Sequence, residues 1–98
     1  MTVSLCVLLW ARPGLAEELS AYEDRVLALL GEHGGEVLQR ACTQGTSTEP
    51  TEIQFIRFAS QAGVDSYLVD PRRTELATER ERVVERTDTM PVTFFGYN

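Results

Sequence analysis

The spacing of apolar and polar residues changes period several times along the chain, and each change marks an element. Val3-Ser4-Leu5-Cys6-Val7-Leu8-Leu9-Trp10 is aliphatic and rich in β-formers, which predicts a strand over 3–10. Val3, Leu5, Val7 and Leu9 fall on one face, Cys6, Leu8 and Trp10 on the other. A strand apolar on both faces needs cover on both. Arg12-Pro13-Gly14 is a turn signal. Leu15, Leu19, Tyr22, Val26, Leu29 and Leu30 then recur at helical spacing, predicting an amphipathic helix over 15–33. Glu17 and Glu18 suit its positive end, and Gly34-Gly35 supplies a left-handed stop.

A second strand is predicted over 36–43, with Val37, Leu38, Ala41 and Cys42 among polar residues. The turn-forming loop 45–50 joins it to a third strand over 52–58, carrying Ile53, Phe55, Ile56 and Phe58, as a hairpin. Ser60 is placed to cap a short helix through Tyr67 and Leu68. Asp70 caps the next, with Pro71 at its first position, where the missing N–H is not needed. Leu76, Val83 and Val84 form that helix's inward stripe, and the mixed charges between Glu75 and Arg86 its solvated face. Met90, Val92, Phe94 and Phe95 predict a closing strand over 89–97.

The order β-α-β-β-α-β is the split βαβ arrangement: an α+β, ferredoxin-like fold with two helices on one face of a four-stranded antiparallel sheet. Residues 1–98 are expected to form one domain. Strand 3–10, together with Ile56, Phe58, Phe94 and Phe95, is expected to leave the second sheet face apolar. A twofold homodimer packed sheet on sheet would cover it. The topology sets Cys6 and Cys42 two strand spacings apart, roughly 10 Å, beyond disulfide reach. With no CxxC neighbour, both are expected to act as small buried hydrophobes.

Charge narrows the partners. The net charge is −6, which disfavours nucleic acid and anionic membrane surfaces. No apolar run approaches the roughly 20 residues of a membrane span. Residues 3–10 lack the basic start and cleavage site of a signal peptide, so a cytoplasmic protein is expected. All nine basic residues are arginines, which excludes a Schiff-base lysine. GxGxxG, P-loop, GxSxG and HExxH motifs are absent, and no cofactor or metal is expected.

The segments 21–35 (Ala21-Tyr22-Glu23 through Leu29-Leu30-Gly31-Glu32-His33-Gly34-Gly35), Pro50-Thr51-Glu52, and Ser66-Tyr67-Leu68-Val69-Asp70-Pro71-Arg72-Arg73 resemble the stress-responsive branch of the dimeric α+β barrel superfamily. The resemblance spans nearly the whole chain. It implies a dimeric barrel related to cofactor-free antibiotic-biosynthesis monooxygenases, muconolactone isomerase, haem-degrading enzymes and chlorite dismutase. The monooxygenases' Asn–Trp–Arg set is not matched, because the only asparagine is Asn98. Haem-binding relatives carry their histidine on a later helix, where this chain has none.

Six residues stand out for chemistry. His33, the only histidine, is either a cation favoured at a helix C-terminus or a general base at a pocket mouth. Arg40 and Arg57 interrupt apolar strands: they pair with Glu36 and Glu52, or bind an anionic ligand. Trp10, Tyr22 and Tyr67 are core aromatics or the lining of a small-molecule cavity. Two functions follow. One is a binding barrel, or a cofactor-independent enzyme, for a hydrophobic oxygen-bearing metabolite. The other is a non-catalytic dimerisation or ligand-carrier module.

Overall fold

The computed structural model describes residues 1–46 and 48–96. Its elements are β1 (Val3–Ala11), α1 (Ala16–Leu27), a 3₁₀ turn (Leu30–His33), β2 (Gly35–Cys42), β3 (Glu52–Phe58), α2 (Gln61–Leu68), α3 (Pro71–Thr74), α4 (Ala77–Val83) and β4 (Val84–Pro91). The sheet is antiparallel in the order β2-β3-β1-β4. This is the expected ferredoxin-like arrangement, and no described helix is long and apolar enough to cross a membrane.

Pairing register decides which side chains share a face. Leu5 lies opposite Ile56, and Leu9 opposite Glu52. Leu5, Val7, Leu9, Gln54, Ile56 and Phe58 therefore point to the helices. Leu19, Tyr22, Val26, Leu30, Val64, Tyr67 and Val83 close the core from above. Ile56 and Phe58 thus belong to the helix-covered core, not to the second face as the apolar run implied. The second face carries Cys6, Leu8, Trp10, Ile53 and Phe55, because these are the opposed partners of the alternate register. Trp10 is covered there by the Arg86 guanidinium, 4.5 Å from its ring centroid.

Three boundaries differ from the sequence reading. The helix over 15–33 stops at Leu27 and tightens into the 3₁₀ turn, which draws Leu30 into the core. Gly34, at φ +72°, ends that turn. The last strand is 84–91, not 89–97: Val84 pairs with Ala11, and the ladder runs to Pro91 opposite Leu5. Glu85 and Arg86 read as helical charge, yet both lie in the strand, where outward Arg86 and Asp88 alternate with inward Thr87 and Thr89. Proline has no N–H to extend the ladder. Phe94 and Phe95 lie past the strand, exposed, and Tyr97 lies outside the described residues.

The helix caps follow expectation. Ser60 Oγ accepts from the Gly63 N–H at 3.2 Å, and Asp70 Oδ1 from the Arg72 N–H at 2.9 Å. Both cysteines are free: Cys6 is buried, but Cys42 is exposed because it sits on edge strand β2.

Candidate functional site

Between the helices and the sheet lies a cavity of about 90 Å³. That is about three waters at liquid density, and less than the roughly 150 Å³ that admits benzene. Its walls are mainly aliphatic: Leu5, Val7 and Leu9 from β1, Ile56 from β3, Val26 and Leu27 from α1. Polar groups enter from three directions: Glu23 with Gln54, Arg73 with Arg80, and Thr87 with Thr89. Apolar walls with a few converging polar groups are the usual makeup of a ligand site.

Glu23 and Gln54 are held by a buried relay. The Gln54 Nε2 donates to Glu23 Oε1 at 2.7 Å and to Glu52 Oε2 at 2.6 Å. Glu52 is fully buried, and Arg40 neutralises it through bonds of 3.0 and 3.1 Å. Arg40 also reaches Asp24 at 2.6 Å. Glu23 has no such cation within ion-pair distance among the described residues. Burial lifts its carboxyl above the usual carboxylate range, and the Glu52 charge adds to this. The Gln54 bond and the charges of Arg40 and Arg73 oppose that rise.

Arg73 and Arg80 stand two helical turns apart in sequence, and neither makes an ion pair among the described residues. The Arg73 Nε is buried with no hydrogen-bond partner. Its guanidinium lies over the Tyr67 ring at 5.1 Å and reaches the Leu68 carbonyl only at 3.5 Å. Arg80 donates to Thr87 Oγ1 at 3.0 Å. A buried guanidinium donor without an acceptor is unusual, since such groups are nearly always satisfied. Tyr67 donates its hydroxyl to the Val26 carbonyl at 3.1 Å, and burial pushes its phenol up to about 12.

Of the six residues singled out from sequence, Tyr67 lines this cavity. Tyr22 packs in the core beside it, 2% exposed, its phenol raised by burial. Trp10 lies on the opposite sheet face. Arg40 and Arg57 are paired, Arg57 with Glu36 at 2.6 Å. His33 is engaged at both nitrogens, with Ser66 Oγ at 2.7 Å and Asp70 Oδ2 at 2.7 Å, and does not line the cavity. A serine–histidine–aspartate chain suggests hydrolysis, but its ends are committed elsewhere. Asp70 is bound by the Arg72 guanidinium, whose hydrogen bond leads in holding its carboxyl well below the usual range, and Ser66 donates to the Gly63 carbonyl at 3.1 Å. The network is a strut tying the 3₁₀ turn to α2 and α3.

Sequence reasoning missed Glu23, Gln54, Arg73 and Arg80. Glu23 sits on the inward stripe, three residues before Val26. Gln54 lies at an inward position of β3, between Glu52 and Ile56. A polar residue at a core position is the available signal in both cases. Among the described residues, no three His, Cys, Asp or Glu side chains are grouped to hold a metal.

No family model and no curated protein matches the chain. Solved structures do. A Rhodopseudomonas palustris protein of unknown function superposes with a TM-score of 0.75 at 17% identity, covering 98% of this chain and 84% of that one. An antibiotic biosynthesis monooxygenase-like protein from Bacteroides thetaiotaomicron gives 0.72 at 15% identity, over 94% and 88%. A dimeric protein of unknown function and ferredoxin-like fold from Bacteroides fragilis gives 0.66 at 14% identity, over 95% and 96%. With its strand order and helix placement, the chain therefore has the ferredoxin-like fold that these dimeric and monooxygenase-like neighbours share.

Proposed function

We propose that the chain binds a small, largely apolar, oxygen-bearing molecule in the cavity between helices and sheet. The observation that carries this reading is the buried, unpartnered Arg73 Nε in the wall of an otherwise aliphatic space. An oxyanion or carbonyl oxygen of a ligand supplies the missing acceptor. Arg73, Arg80, Tyr67 and Gln54 form the polar side of the site; Tyr22 backs it, and His33, Arg40 and Arg57 act structurally. Trp10 serves the other sheet face. The volume excludes a polycyclic phenol, because drug-sized ligands occupy roughly 300–1,000 Å³. Acetate, a carboxylate on a single methyl group, is the fitting probe for so small a space. Isothermal titration should detect acetate binding to the wild-type protein. Arg73→Met should weaken it about 10- to 100-fold, the range for a hydrogen bond to a charged group. Equal affinity in both proteins would refute the assignment.

The same chain, acting as one domain over 1–98, pairs with a second copy through the opposite sheet face. Phe94 is 48% and Phe95 80% exposed, beside half-buried Leu8, Ile53 and Phe55. Phe94 stacks edge-on against Phe55, with centroids 5.6 Å apart. An apolar patch of this kind marks an interaction surface, and the Bacteroides fragilis neighbour is described as dimeric. Sedimentation should give twice 11.0 kDa for the wild type. Phe94→Asp should give the monomer mass, since pairing would bury an unpaired charge. A Phe94→Asp protein that still sediments as a dimer overturns this choice of face. The two free cysteines and the lack of membrane helices among the described residues support a cytoplasmic location.

A further inference from the structure

We propose that the cavity takes up a one- or two-carbon carboxylate together with one proton, which Glu23 holds between its own carboxyl and the ligand's. The inference rests on the binding reading above and names the ligand class and the coupling of that site to pH. Glu23, Arg73 and Arg80 line one space of about 90 Å³, so a ligand carboxylate that fills it meets a carboxyl and two guanidinium groups. Two of these groups have bonding capacity to spare. The Arg73 Nε is buried with no acceptor. Gln54 donates to Glu23 Oε1 at 2.7 Å, which leaves Oε2 without a hydrogen-bond partner among the described residues. Gln54 is itself pinned by Glu52, which Arg40 neutralises. The Glu23 carboxyl is thereby oriented, with one oxygen on the relay and the other left to the cavity.

Two carboxylates confined in so small a space are not both ionised, because their repulsion raises one of them until the pair shares a proton. One ligand oxygen accepts from the Arg73 Nε–H, and the other accepts from a protonated Glu23 Oε2. Burial and the Glu52 charge already raise the Glu23 carboxyl, while the Arg73 and Arg40 charges oppose that rise. A bound anion draws on the Arg73 charge and weakens the opposition. Above the pH at which the empty site gives up its Glu23 proton, each entering anion therefore brings one back, and affinity falls as pH rises. The other ionisable groups packed around Glu23 do not supply that proton. Arg40, Arg73 and Arg80 are guanidinium groups, which stay charged. Tyr22 of α1 and Tyr67 of α2 have phenols raised by burial, Tyr67 to about 12. Glu52 of β3 is bound by Arg40.

Isothermal titration with acetate in HEPES and in Tris counts the protons, because the two buffers give theirs up with different heats. At about pH 8 the wild type should take up close to one proton per acetate bound. Its affinity should fall about tenfold from pH 7 to pH 8, the slope of one linked proton. Glu23→Gln carries an amide that accepts from Gln54 and donates to the ligand without titrating. It should bind acetate more tightly than wild type at about pH 8, with no proton uptake and no slope. Acetate that binds the wild type without proton uptake, or uptake that persists in Glu23→Gln, overturns the coupling while the binding site stands. If acetate fails to bind the wild type even at about pH 6, where the coupled site is at its tightest, the binding reading falls, and this inference with it.

Discussion

Arg40→Ala is expected to destabilise the protein by about 3–5 kcal/mol, the range for removing one partner of a buried ion pair. Glu52 is fully buried and receives two guanidinium bonds. Without Arg40 its charge stands in the interior beside a second buried carboxyl, Glu23, joined to it through Gln54. The two like charges then have one amide between them. At about 4–8 °C per kcal/mol for a domain of this size, the midpoint should fall by at least about 12 °C. Urea denaturation of Arg40→Ala and of Arg40→Ala/Glu52→Gln tests the cause. The double variant removes the stranded charge, so it should be the more stable of the two. A loss below about 1 kcal/mol for the single variant would class the pair with solvated surface bridges.

Gly63→Ala is expected to be the next largest change, about 3 kcal/mol destabilising, at the top of the usual range for overpacking. A Cβ there would lie 2.3 Å from the His33 carbonyl oxygen. That oxygen belongs to the backbone of the 3₁₀ turn, so no side chain can swing aside. Instead α2 must move off the turn, taking Val64 and Tyr67 out of the core and breaking the His33–Ser66 contact. Helix propensity acts in the opposite sense, favouring alanine over glycine by about 1 kcal/mol. The sign of the measured change therefore decides whether the close approach exists. Gly31→Ala is the control: nothing lies within 4 Å of its added Cβ, and its stability should stay near wild type. A stabilised Gly63→Ala protein would contradict the packing of α2 against the turn.

Much of the fold could be read from local patterns that agree with one another. The two-faced strand β1, the stripe from Leu19 to Leu30, and the caps at Ser60 and Asp70 each have a single physical reading. The structure repeats the last two in detail. Boundaries failed where two periods overlap. Glu85 and Arg86 extend a helical charge run in sequence, but in the sheet Arg86 and Asp88 are the outward half of an alternating strand, opposite Trp10 and Leu8. Aromatic residues then drew the strand past Pro91, although Phe94 and Phe95 owe their apolar character to the exposed face. The partners of Arg40 and Arg57 were readable, because Glu52 and Glu36 lie on paired strands within the same hairpin.

The cavity's polar side was not readable for a different reason. Arg73 and Arg80 look like other arginines of a charged helix, and only the path of the chain after Asp70 turns them inward. Arg72 and Arg82, their sequence neighbours, are exposed and pair, Arg72 with buried Asp70 and with Glu32, Arg82 with Glu79. Which arginine of such a run goes unpaired depends on tertiary placement, not on composition. His33 drew notice as the only histidine, but uniqueness in a sequence says nothing about position. Its two nitrogens are occupied by Ser66 and Asp70.

The most direct test of the binding site reads the orphaned donor itself. The side-chain Nε–H resonances of ¹⁵N-labelled protein, assigned by loss of the Arg73 signal in Arg73→Met, can be followed as acetate is added. A ligand oxygen on the unpartnered Nε predicts a saturable downfield shift of the Arg73 proton, with the signals of paired Arg40 and Arg57 unmoved. An Arg73 signal that stays in place at saturating acetate, or moves no more than Arg57, would contradict a ligand site at this cavity.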